Sequence, residues 1–175
     1  MRTMQKVGLA VLAVLFVTIS GKAQEAPKAE VFAGYSYARV DADITHVNAN
    51  GWNFSVAGNV NKWFGLVGDF SGHYGSLFDI NGSVHSFGFG PRFSSRKNER
   101  VTPFFHTLFG AAHRRFAGFN ETAFAMAIGG GIDVRASDHV AVRLIQADYV
   151  PTRFGGETQS NARVSVGFVF RLGKK

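Results

Sequence analysis

Residues 161–172 constrain this chain more than any other stretch. Val164, Val166, Phe168, Phe170 and Leu172 share one parity, while Arg163, Ser165, Gly167 and Arg171 share the other. Side chains on a strand alternate faces with period two, so one face of this segment is wholly apolar and the other mostly polar or small. In a soluble protein the apolar face packs on a core. In a membrane barrel the sense reverses, with the apolar row toward lipid and the polar row toward the lumen. The rest of the chain must decide between the two.

The alternation recurs along the chain. Residues 31–38 place Val31, Ala33, Tyr35 and Tyr37 on one face, and residues 51–60 set Trp52, Phe54 and Val56 against Asn53, Ser55, Ala57 and Asn59. After a tight turn at Asn61 and Lys62, Phe64, Leu66, Phe70 and Tyr74 oppose Asp69, Ser71 and His73. Residues 85–93 set Phe87, Phe89, Pro91 and Phe93 against Ser86, Gly88, Gly90 and Arg92. Residues 102–112 turn Pro103, Phe105, Thr107 and Phe109 outward, and residues 122–133 set Phe124, Met126, Ile128 and Ile132 against Ala125, Ala127, Gly129, Gly131 and Asp133. A proline removes a ladder bond, which suits Pro103 near a strand end better than Pro91. In residues 140–149 the parity slips: Arg143 and Asp148 share a face only if a bulge intervenes. With residues 161–172 this makes eight strands. The polar stretches 40–50, 75–83, 113–121 and 151–160 read as long loops and alternate with short or middling turns. Each strand is near the roughly 9–11 residues a tilted strand needs to cross a bilayer. The expected fold is all-β: an eight-stranded antiparallel up-and-down transmembrane barrel.

The chain has 175 residues, enough for one domain, and no cysteine, which excludes disulfides and thiolate chemistry. Its first segment reads as an export signal: Arg2 and Lys6 precede an apolar run over residues 7–19, and Gly21, Lys22 and Ala23 follow. Cleavage is expected between Ala23 and Gln24, leaving residues 24–175 as the barrel domain. Without Arg2, Lys6 and Lys22 the formal charge falls from +7 to +4, 16 bases against 12 acids. With no continuous basic stripe, nucleic acid is not an expected partner.

One face of the strands is a row of Phe, Val, Leu and Ile with Tyr35, Tyr37, Trp52, Trp63, Tyr74 and Tyr149 near the ends, as an interfacial girdle requires. A soluble barrel would turn that row inward and leave an outer surface too poor in charge. The membrane sense therefore fits better. The opposite face holds Asn53, Ser55, Asn59, Asp69, Ser71, His73, Arg92, His106, Asp133, Arg143, Ser165 and Arg171. Eight strands enclose a lumen only wide enough for side chains. Asp69 and Asp133 are expected to pair there with Arg92, Arg143 or Arg171, because an unpaired buried charge is costly.

The end of the chain resembles the insertion signal of bacterial outer-membrane barrels: Ser165, then Gly167, then Phe170 and Leu172. The signal usually ends on an aromatic residue, whereas this chain continues through Gly173, Lys174 and Lys175. With Gly34 to Tyr37 (Gly-Tyr-Ser-Tyr) and Gly167 to Phe170 (Gly-Phe-Val-Phe), the likeness over residues 29–172 is to the small outer-membrane β-barrel family that includes the transmembrane part of outer membrane protein A and opacity-type proteins. That resemblance implies an outer-membrane location, with membrane lipids and the barrel-insertion machinery as partners. It specifies architecture, not activity.

The six His include no i, i+2 or i, i+4 pair, so neither a metal site nor a cofactor is expected. A serine hydrolase site needs Ser, His and a carboxylate held together. Ser86 beside His85 and Thr107 beside His106 point to opposite faces, so no catalytic residue is assigned. The expected role is structural or surface-interacting, with the loops carrying recognition and Arg114, Arg115 and Arg153 able to meet lipopolysaccharide phosphates. A narrow solute pore and a lipid-modifying enzyme are the alternatives.

Overall fold

A computed structural model describes residues 26–42, 45–77, 80–116, 118–154 and 157–174; residues 1–25, and with them the proposed cleavage point at Ala23 and Gln24, lie outside the described residues. The described chain is eight antiparallel strands: β1 (Pro27–Ala42), β2 (Thr45–Asn59), β3 (Phe64–Leu77), β4 (Ile80–Ser94), β5 (Val101–Phe116), β6 (Phe119–Arg135), β7 (Val140–Phe154) and β8 (Glu157–Lys174). Each pairs with its sequence neighbour, and β1 pairs with β8, so the sheet closes. Closure leaves no unpaired edge, which a bilayer demands.

The seam between β1 and β8 depends on two glycines facing each other, Gly34 and Gly167. A Cβ on Gly34 would come within 2.1 Å of the Val166 carbonyl oxygen, and one on Gly167 within 2.4 Å of the Ala33 carbonyl oxygen. Neither backbone can give way without opening the ladder. In β7 the alternation breaks at Leu144 and Ile145, both exposed, while Arg143 and Gln146 on either side are buried. The β7–β8 register shifts between Arg143 and Gln146. This bulge brings Arg143 and Asp148 onto the same, inward, face. The β4–β5 register passes from Phe89–Phe109 to Arg92–His106, stepping over Pro91.

The four stretches expected as long loops are, over their described residues, continuations of the strands. On β1 and β2 Val40 pairs with Val47 and Arg39 with Asn48. Gly75 pairs with Gly82 on β3 and β4, and His113 with Thr122 on β5 and β6. In the fourth hairpin Thr152 pairs with Gln159. Polar residues on both faces argue against a strand only where one face must be dry. Beyond the bilayer both faces meet water, so the ladder continues. The lengthier connections lie at the other end, between β2 and β3, β4 and β5, and β6 and β7.

Outside, the barrel is greasy: Phe168 is 57% and Trp52 44% exposed. Trp63 stacks on Phe93 at one rim, with ring centroids 6.0 Å apart. Tyr35, Trp52, Tyr74 and Tyr149 stand exposed toward the other. Phe64 and Tyr74 are ten residues apart on β3. At roughly 3.3 Å per residue and a tilt of about 40° this is a band about 25 Å tall, the height of a bilayer's apolar slab. The first residue of β1 and the last of β8, Pro27 and Lys174, pair at the Trp63 end, the same side, as an even strand number requires.

Candidate functional site

The inward rows of all eight strands meet in one polar cluster. Parity delivers each member: Glu30 from β1, Asn53 and Asn59 from β2, Asp69 from β3, Arg92 from β4, His106 from β5, Asp133 from β6, Arg143, Gln146 and Asp148 from β7, and Arg163 from β8. All are buried. At the Trp63 end Glu30 accepts from Arg96 at 3.0 Å and from Asn59 at 3.3 Å, and pairs with Arg92 at 3.3 Å. Arg92 also donates to Asp133 at 3.0 Å. Arg143 grips Asp133 with two bonds, from Nε at 2.7 Å and from Nη2 at 3.1 Å.

From there the chain of bonds climbs. Arg143 Nη1 donates to Gln146 at 2.6 Å, and Gln146 donates to Asp148 at 2.8 Å. Asp148 is 2.8 Å from His106 Nε2 and accepts from Arg163 Nε at 2.9 Å and Nη2 at 2.6 Å. Arg163 Nη1 reaches across to Asp69 at 2.8 Å, and Asp69 accepts from Asn53 at 2.8 Å. Above this line Ser36 bonds both His73 and Ser165 at 2.9 Å.

Four arginines (Arg92, Arg96, Arg143, Arg163) thus meet four carboxylates (Glu30, Asp69, Asp133, Asp148). A buried ion is tolerable only when its charge and remaining donors are met. Aromatic faces cover two of the guanidinium groups, while the buried Nε of Arg92 and that of Arg96 make no hydrogen bond. The Arg92 guanidinium lies 4.2 Å from the Phe104 ring centre, and that of Arg143 lies 4.2 Å from Phe32. Phe32, Leu108 and Val169 fill space between the charges.

Of the residues singled out from the sequence, Arg92, Asp133 and Arg143 come together. Asp69 is paired instead with Arg163. Arg171 is buried opposite Glu30 in the β1–β8 register, below the central cluster. Sequence reasoning left out Glu30, Arg96, Asp148 and Arg163 from the network. Parity would have placed Arg163 and Glu30 inward; nothing in the sequence says that Arg96, in the β4–β5 turn, folds back under the lumen. Ser165 faces inward, Gly167 closes the seam, and Phe170 and Leu172 face outward. Among the described residues no three His, Asp or Glu side chains are placed to hold a metal ion.

Residues 9–171 match the profile of the outer membrane protein beta-barrel domain. The chain belongs to that family. It is a transmembrane barrel of the outer membrane, with its apolar wall in lipid. Among solved structures this outer-membrane barrel is similar to Neisserial surface protein A, with 12% identity and a TM-score of 0.69 over 83% of this chain and 97% of that one. It is also similar to Ail, the attachment invasion locus protein of Yersinia pestis, solved in complex with the heparin analogue sucrose octasulfate (20% identity, TM-score 0.58, 83% of this chain and 99% of that one). OprG from Pseudomonas aeruginosa matches with 10% identity and a TM-score of 0.58 over 89% of this chain and 99% of that one. At these identities the likeness is one of fold. No curated protein sequence matches the chain.

Proposed function

We propose that this barrel is a closed, non-conducting scaffold that holds its outward hairpins at the cell surface for interaction. The observation that carries the reading is the bonded line from Arg96 to Asn53, to which every strand contributes. A solute crossing the lumen would have to part several buried ion pairs, each costing about 3–5 kcal/mol if one partner is stranded. The test is planar-bilayer recording with the folded protein. Steady single-channel steps would sink the reading in favour of a narrow pore.

The same reading takes residues 1–23 as a cleaved export signal, checked by mass spectrometry of the mature N-terminus, which is expected at Gln24. It takes Ser165, Gly167, Phe170 and Leu172 as the signal read by the insertion machinery. Of the three hairpin arginines, Arg115 and Arg153 on the outward rows would meet phosphates of lipopolysaccharide or another polyanion, whereas Arg114 turns inward to Glu121. A non-enzymatic role is supported by the burial of the Ser36–His73 pair, whose hydroxyl is also tied to Ser165.

A further inference from the structure

We propose that the outward mouth of the barrel is a binding site for a small, uncharged, mostly apolar molecule. Above the ionic network the inward rows of β1, β2 and β4 change character, while those of β7 and β8 stay polar with Thr152, Gln159 and Asn161. On β1, Ser36 gives way to Ala38 and Val40; on β2, Asn53 gives way to Ala49 and Val47; on β4, Ser86 gives way to Val84. Val40, Val47, Ala49 and Val84, with Phe116 and Phe119, line a cavity of about 440 Å³, whose lining also includes Arg114, Arg115 and Glu121. Its floor is His73, held by Ser36 at 2.9 Å, with the ion pairs beneath.

A mouth that only held water would gain nothing from such walls. Apolar surface left against water is unfavourable, and polar side chains are the cheaper lining there. The volume falls within the range of small-molecule sites, about 300–1,000 Å³. Charge decides the class of occupant. Arg114 points inward, but it donates to Glu121 at 3.0 Å and its guanidinium lies 4.5 Å from the Phe154 ring centre. Arg115, on the outward row, donates to Asn120 at 3.0 Å. An incoming carboxylate or ammonium would shed water and meet, on the inward row, an Arg114–Glu121 pair already matched. A neutral molecule with an apolar body pays no such cost.

The test uses the full mature chain in lipid nanodiscs, with Val and Ala methyl groups labelled for NMR. The probes are 1-hexanol and hexanoate at neutral pH. The expected result is saturable shifts at Val40, Val47 and Val84, against linear partition shifts at lipid-facing Val164 and Val166. Hexanol should bind at least about tenfold more tightly than hexanoate, and Val84→Gln or Val47→Gln should each weaken hexanol about tenfold, the scale of a mismatched group in an apolar pocket. An unchanged Val169 methyl signal shows that a variant has folded, and either variant alone carries the test. Linear shifts at every methyl would overturn the proposal, as would equal or tighter binding of hexanoate. Contacts between cavity methyls and nanodisc acyl chains would also overturn it, since a lipid tail would then be the occupant. Conductance does not bear on this site, so its test is independent of the closed-barrel reading.

Discussion

Arg163→Leu is the sharpest perturbation of the lumen. The wild-type guanidinium makes three short bonds, one to Asp69 and two to Asp148, with the side chain 5% exposed. Leucine fills much of the space but leaves two carboxylates facing each other without their cation. Asp148 keeps His106 and Gln146, and Asp69 keeps Asn53, so neither is wholly orphaned. Removing one partner from a buried pair costs about 3–5 kcal/mol. The retained bonds argue for the lower part of that range, about 3 kcal/mol, or roughly a hundredfold in the folding equilibrium. The assay is equilibrium urea unfolding in lipid vesicles, followed by the fluorescence of Trp52 and Trp63. A companion variant, Arg163→Leu with Asp69→Asn and Asp148→Asn, removes the stranded charges and should recover at least half of the loss. If the single change cost less than about 1 kcal/mol, the network would not be holding the barrel as described. If the triple variant were no more stable than the single one, the loss would come from packing and not from charge.

Three further outcomes are expected. Phe168→Arg puts a cation on the lipid face near the middle of the apolar band and should cost about 2–4 kcal/mol in the same unfolding assay. Gly34→Val cannot fit against the Val166 carbonyl oxygen, so β1 and β8 should fail to close; the heat-modifiable mobility shift of a folded barrel on cold SDS gels should be lost. Deleting Ile145 removes the extra residue of the bulge and leaves Arg143, Gln146 and Asp148 in plain alternation, all still inward. A folded band is expected to persist on the same gels, and its loss would mean that the bulge does more than correct the parity.

The wall of this protein was legible because lipid and lumen impose opposite demands on adjacent residues. Phe87, Phe89 and Phe93 against Ser86 and Arg92 can be read in only one way once the membrane sense is chosen. Even the bulge announced itself, since Arg143 and Asp148 stand at opposite parity and neither belongs in hydrocarbon. What could not be read was whatever depends on distance across the lumen. Asp69 and Arg163 are 94 positions apart and meet only because the barrel closes. Arg96 lies in a turn, where alternation has no meaning. The hairpin ends were misjudged for a related reason: outside the bilayer no face has to be dry, so the two-residue pattern fades while the backbone ladder goes on. The apolar mouth was missed because Val40, Val47 and Val84 lay in stretches taken as loop or strand end.

Because the ladders run on past the membrane, the part of the molecule offered to the surroundings is a stiff palisade and not a set of tethers. A partner that docks on it freezes little that was moving, so it gives up less entropy than it would on floppy loops. Its fit must instead come from the spacing of neighbouring rungs, and a substitution there should alter which partner is accepted more than how readily the crown takes shape.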